Sequence, residues 1–186
     1  MKLIIAITGA TGTLYAIKLL EALQQFEHIQ THLVMSKWAV KNLEIETDYS
    51  LDYVQGLASI LHEHDNLAAS IASGSFKTDG MIILPCSMKT LSSISQGAST
   101  NLIERAADVM LKEGRKLVIA PRETPLSTIH LENMLKLSRL GVRLVPPMPG
   151  FYSNPKTIDD LINHYVMKLL DQFDLNLHDE CRWKGV

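Results

Sequence analysis

Four short segments combine hydroxyls, charges and glycines at spacings able to bind an anion or move a proton. Gly9-Ala10-Thr11-Gly12 follows an apolar run and opens a helical pattern, so helix N-terminal amides and the positive dipole end could receive a phosphate. The same residues also fit a compact strand-to-helix turn with no ligand. Pro85-Cys86-Ser87-Met88-Lys89-Thr90 offers hydroxyls, backbone amides and one cation, a second edge for a polar or anionic ligand. In Pro121-Arg122-Glu123-Thr124-Pro125 an Arg can clamp a phosphate and a Glu can exchange protons. A surface ion pair fits those two charges as well. Arg105, Asp108 and Lys112 share one face of a helical pattern over Asn101 to Glu113, where the plain alternative is a solvated face with an Asp108 to Lys112 pair.

Other arrangements fail on spacing. The first glycines run Gly-x-x-Gly, and the second strand candidate ends in Met35-Ser36-Lys37 without an acidic residue for an adenosine ribose, which disfavours NAD. Thr8 to Gly12 opens like a short-chain dehydrogenase, but Thr13 and Tyr15 stand where further glycines belong. Tyr152 and Lys156 have that group's Tyr-x-x-x-Lys spacing, yet Pro155 between them denies the pair a helix. No Gly-Lys-Ser/Thr closes a P-loop. Cys86 has no His tied to it by sequence and reads as a small buried thiol before it reads as a nucleophile. His62-Glu63-His64-Asp65 invites a metal, but consecutive residues seldom converge on one ion, so a solvated stretch is expected.

These segments need a scaffold, and the chain has the composition for one. Its 186 residues are 46% apolar and 20% charged with a formal charge of -2, which predicts one domain over residues 1–186. Without a basic excess, nucleic acid and membrane surfaces are disfavoured. Cys86 and Cys181 cannot make a disulfide framework or a Cys-rich zinc site, which fits a reducing cytoplasm. Thr8-Gly9 cuts the N-terminal apolar run too short for a signal peptide or membrane span. Apolar runs at Leu3 to Thr8, Thr31 to Met35, Met81 to Leu84, Leu117 to Ala120 and Val142 to Val145 predict strands. Helical spacing appears in Ala16, Leu19, Leu20, Leu23, in Ile103, Ala106, Ala107, Met110, and in Ile158, Leu161, Ile162, Tyr165. Gly114 and Gly141 fit helix C-caps, and Thr157 to Asp160 fits a capping box. Ser50 to Thr78 is less regular, with a helix expected near Leu51 to His62 and a polar stretch at Ala69 to Ser75; Pro146 to Gly150 is a rigid loop. The alternation predicts an α/β fold, a Rossmann-like parallel sheet in a three-layer αβα sandwich, with ligands beyond the carboxyl ends of the strands.

Taken together, Thr8 to Gly12, Glu46-Thr47-Asp48, Pro85-Cys86-Ser87, Asn101 to Asp108, Pro121 to Pro125, Ile129 to Met134 and Pro149-Gly150-Phe151-Tyr152 resemble the UbiX-type flavin prenyltransferase family. The likeness runs in order from the first strand to Trp183. Ala72 to Phe76 and Leu170 to Phe173 resemble the branch linked to phenolic-acid decarboxylation, whose members were often named as components of the decarboxylase itself. The resemblance implies a flavoprotein fold and a cytoplasmic homo-oligomer, typically a dodecamer. It also implies FMN binding and transfer of a dimethylallyl group, without metal, to N5 and C6 of the reduced flavin. The product, prenylated FMN, would pass to a UbiD-type decarboxylase. By position, Gly9, Ala10, Thr11, Ser36, Ser87, Met88, Lys89, Thr90 and Arg122 match the FMN contacts. Arg105, Lys112, Arg122, Glu123, Tyr152 and Lys168 match the dimethylallyl phosphate site, and Arg182-Trp183 resembles a tail that closes over it, although a C-terminal aromatic packing on a neighbour fits Trp183 as well.

In such a reaction Arg, Lys and Tyr donors can stabilise the leaving phosphate without a metal, and Glu123 is the first candidate for proton transfer, helped by Thr11 and Glu46. Two positions depart from the family. Thr11 stands where Ser is frequent, keeping the hydroxyl and adding a methyl. Lys168 stands where some members have Arg, keeping the charge but losing the bidentate grip. Two other functions compete: a non-catalytic FMN carrier, and a cysteine-decarboxylase-like enzyme whose Pro-Ala-Ser-Ala-Asn-Thr motif resembles Pro85 to Thr90. Lys89 in place of its Asn argues against the latter.

Overall fold

The computed structural model describes residues 1–177 and 182–185, so the expectation for Cys181 lies outside the described residues. Six parallel strands form one sheet: β1 (Lys2–Ile7), β2 (Gln30–Met35), β3 (Ile60–His62), β4 (Gly80–Cys86), β5 (Lys116–Pro121) and β6 (Arg143–Leu144). Their order, β3-β2-β1-β4-β5-β6, is that of the dinucleotide-binding folds. The chain leaves β1 toward one side of the sheet and β4 toward the other. The crevice between their carboxyl ends is therefore the switch point where ligands bind.

Five strands coincide with the apolar runs. Leu3, Ile5 and Ile7 point to one face and Ile4 and Ala6 to the other, all fully buried, because helices cover both faces. One layer holds α1 (Thr13–Leu23), α2 (Lys37–Glu46), the short α3 (Leu51–Gly56) and α7 (Ile158–Leu170); the other holds α4 (Met88–Ser95), α5 (Leu102–Lys112) and α6 (Thr128–Arg139). Each buried Leu or Ile side chain contributes about 1.5–3 kcal/mol, so the two cores make the sheet a rigid platform.

The helix expected over Leu51 to His62 is a correction. It stops at Gly56, and Ile60 to His62 pair with His32 to Val34 as an edge strand. Ile158 is 74% exposed, so the inner face of α7 runs through Ile162, Tyr165, Val166, Leu169 and Leu170. Both predicted glycine C-caps have positive φ, and the Thr157 to Asp160 capping box forms in both directions.

Candidate active site

The loops at the carboxyl edge are tied together by a buried hydroxyl. Thr8 Oγ1 donates to the Pro85 carbonyl at 2.8 Å and accepts from the Ser87 amide at 2.8 Å, locking the loop after β1 to the loop after β4. The Arg122 amide donates to the Cys86 carbonyl and the Ser36 amide to the Ile7 carbonyl, so all four loops are held at fixed heights.

Two cavities open on this edge, one on each side of the Gly9 to Gly12 loop. The first, about 480 Å³, is lined by Thr8, Gly9, Ser36, Lys89 and Thr90 with Ser87, and its rim adds Lys37, Trp38, His64, Asp65, Asn101 and Glu104. Ser36 caps α2 and Ser87 caps α4, so the first turns of two helices face this space. Gly9 is required there: a Cβ would stand 2.4 Å from Trp38 Cβ. The second cavity, about 590 Å³, joins Thr11, Gly12 and Tyr15 to Arg122, Glu123 and Thr124, with Leu126, Pro146, Pro147 and Met148 as an apolar wall. No ion pair joins Arg122 to Glu123 among the described residues; Glu123 Oε1 instead accepts from the Thr124 amide at 3.0 Å. Both charges therefore remain available to a ligand.

Other predicted site residues fall elsewhere. Ala10 is buried in the loop itself, and Met88 packs against the α4–α5 core. Glu46, the last residue of α2, reaches the start of α1, where Oε2 accepts from the amides of Gly12 at 2.9 Å and Thr13 at 3.0 Å. The α1 amides expected to receive a phosphate are thus taken by a carboxylate. Arg105 donates to the Ala72 carbonyl and pairs with Asp108 at 3.0 Å, and Lys112 pairs with Glu113 at 2.6 Å. The Asp108 to Lys112 pair does not form, and within one chain neither Arg105 nor Lys112 lines either cavity.

A third group gathers around α7. Tyr152 Oη lies 2.6 Å from His164 Nε2, and the Trp183 ring meets Tyr152 edge-on at 5.8 Å. Lys168 follows His164 by one turn of α7, and Arg182 holds the tail to Asp171 at 2.6 Å. Burial, and secondly the Lys168 charge, push the His164 imidazole below its ordinary value, so it is neutral.

Sequence reasoning missed several rim residues. Trp38 gave no signal, because a lone aromatic in a helix pattern reads as packing. His64 and Asp65, read as solvated or metal-binding, form a 2.8 Å pair extended to Lys37 at 3.2 Å. Among the described residues no group of three or more His, Cys, Asp or Glu could hold a metal. Burial alone would raise Glu104, but hydrogen bonds from Thr100, Asn101 and Ser93 hold its carboxyl below the usual range. Cys86 is buried and its thiol pushed up by burial, so it is the inert thiol expected.

An open parallel sheet with paired cavities at its switch point defines a nucleotide-type ligand-binding protein of the doubly wound class. The Flavoprotein family model matches residues 1–170. The chain is 54% identical over 184 residues to the flavin prenyltransferase LpdB of Lactiplantibacillus plantarum, covering 99% of this chain and 98% of that one. A crystal structure from Escherichia coli O157:H7, described as a dodecameric FMN-dependent UbiX-like decarboxylase, superposes with a TM-score of 0.98 at 57% identity over 100% of both chains. AnUbiX, solved with FMN and dimethylallyl pyrophosphate, matches with a TM-score of 0.97 at 50% identity over 100% of this chain and 98% of that one. This chain belongs to the flavoprotein family and, within it, to the UbiX-like flavin prenyltransferases.

Proposed function

We propose that this chain joins a dimethylallyl group, delivered as its phosphate, to reduced FMN, producing prenylated FMN for a UbiD-type decarboxylase. The observation that carries this is the pair of cavities divided by the Gly9 to Gly12 loop. The first fits FMN by its polar lining: the Ser36 and Thr90 hydroxyls, the Lys89 ammonium, and a glycine where a side chain would collide with Trp38. The second fits a small apolar chain ending in an anion, with prolines, Leu126 and Met148 opposite Arg122.

Bound reduced FMN supplies nucleophilic N5 and C6. The residues do the rest. Arg122 neutralises the phosphate as its bond to the allylic carbon breaks, a charge stabilisation that needs no metal. Glu123, beside it, exchanges the protons of ring closure: the prenyl double bond gains one and the flavin C6 loses one as the second carbon bond forms. Thr11, at the boundary between the cavities, orients the allylic carbon. The apolar wall of Leu126, Pro146, Pro147 and Met148 keeps water from the ionising group. Tyr152 and Lys168 complete the anion site from α7 and its preceding loop, and Trp183 covers them. Arg105 and Lys112 reach the site from neighbouring subunits. Exposed Ile129, Leu131 and Leu135 along α6, with Met148 and Phe151, supply the apolar surface a dodecamer would bury. Among the described residues no helix is long and apolar enough to cross a membrane, and a single domain working in the cytoplasm belongs to this reading.

The test is anaerobic incubation with reduced FMN and dimethylallyl phosphate, without metal, followed by mass spectrometry of the extracted flavin. The expected result is a gain of one prenyl unit, lost in Arg122→Ala and Glu123→Gln while flavin stays bound. Unmodified flavin on wild-type protein that holds FMN would move the assignment to a carrier. Parallel loss of FMN and activity in every anion-site variant would remove the separate phosphate site.

A further inference from the structure

His164 is a buried, neutral imidazole beneath an exposed phenol. It is 5% exposed whereas Tyr152 is 45% exposed, and the rings meet edge-on at 5.2 Å with Nε2 and Oη 2.6 Å apart. Gly150 leaves room for the contact, since a Cβ there would stand 2.7 Å from His164 Cε1 and 3.2 Å from Tyr152 Cε1. His164 Nδ1 is buried with no hydrogen-bond partner among the described residues.

A neutral imidazole carries one N–H, so two arrangements are open. If Nδ1 held the proton, an N–H would be buried without an acceptor, and the phenol would have to turn its own proton inward to Nε2. If Nε2 holds it, only a lone pair at Nδ1 goes unpaired, the less costly of the two omissions by the rarity of orphaned buried N–H groups. The phenol oxygen then accepts from below and its proton points outward.

We propose that His164 is a positioning residue for Tyr152: its Nε2–H donates to the phenol oxygen and so commits the phenol proton to the phosphate of the prenyl donor. This rests on the prenyltransferase reading. Tyr152 and Lys168 then form a hydroxyl-plus-ammonium pair in which Tyr152 supplies direction and Lys168 supplies charge. A group acting through ground-state positioning changes substrate affinity more than the rate of the bound complex.

The experiment is calorimetric titration of FMN-loaded protein with dimethylallyl phosphate, alongside steady-state kinetics, for wild type, His164→Phe, His164→Asn, His164→Gln, Tyr152→Phe and the His164→Phe/Tyr152→Phe double variant. His164→Phe is expected to bind dimethylallyl phosphate about tenfold more weakly, with KM raised, kcat within about twofold and FMN affinity unchanged. Asparagine, too short to reach the phenol, should behave like phenylalanine and covers the case in which phenylalanine is not accommodated. Glutamine, with an N–H at comparable reach, should recover most of the affinity. The double variant should be no weaker than Tyr152→Phe alone, because the two residues act as one unit. Wild-type affinity in both His164→Phe and His164→Asn, or losses that multiply in the double variant, overturns the inference while leaving prenyl transfer standing. This binding pattern without prenyl transfer would instead sink the functional reading and keep the His164 to Tyr152 unit. A wild-type protein that binds no dimethylallyl phosphate overturns both.

Discussion

Glu46 fills a role that no residue beside α1 can fill. The N-cap of that helix is Gly12, which has no side chain, and the Glu46 carboxylate accepts the two leading amides from the end of another helix. A charge-assisted cap of this kind contributes about 1–2 kcal/mol. Glu46→Ala should therefore lower the melting temperature by about 2–8 °C, with Glu46→Gln between it and wild type, as read by differential scanning calorimetry. An unchanged melting temperature would show that water replaces the cap without cost. At Lys168 the expectation concerns affinity. Because ammonium is a point charge and guanidinium a fork, Lys168→Arg should lower KM for dimethylallyl phosphate several-fold with little change in kcat, and an identical KM would count against a phosphate at that position. Arg122, Glu123 and Thr11 could be nominated from sequence because they follow strand ends directly. His164 could not, because nothing local in the sequence ties it to Tyr152.

At the scale of elements, the informative error is β3. From Leu51 to His62 the sequence supports a continuing helix, and only pairing with β2 converts Ile60 to His62 into a strand. That pairing stacks His32 on His62 at 5.2 Å, with Nδ1 and Nε2 2.9 Å apart, and places Phe76 edge-on to His32 at 5.4 Å. Burial, and secondly the neighbouring His62 and Lys2, bring His32 down to about 4, and burial lowers His62 as well. Since the unfolded chain binds the His32 proton near pH 6.5 and the folded chain only near pH 4, the unfolded state holds more protons between those limits. Stability must fall as pH drops through that window, on the order of 2 kcal/mol from His32. Urea midpoints at pH 7 and pH 4.5 should show a smaller acid loss in His32→Gln than in wild type. Equal losses would mean that the pair does not sense protons. The helices were more legible than this strand, because α1 and α5 bury a continuous stripe that their own periodicity announces.

For the whole molecule, Arg105 and Lys112 decide how many chains make one site. Each is engaged on α5, away from the cavity that holds Arg122 and Glu123. Under the shared-site reading, Lys112→Ala and Arg122→Ala are each inactive as homo-oligomers. Co-expressing the two should restore a fraction of wild-type turnover, because some sites receive both intact residues. No recovery in mixed oligomers, verified by mass spectrometry, would put the whole site within one chain.

The layered parallel fold and the loops at its active edge were legible in the amino-acid order, because strand burial, helix periodicity and turn residues are local properties of the chain. Three outcomes emerged from packing alone: the α1 amides belong to Glu46, a glycine loop divides two cavities, and His164 stands under Tyr152. The two contacts among them join partners 12 to 34 residues apart, which distance in the sequence does not encode and packing around the switch point does.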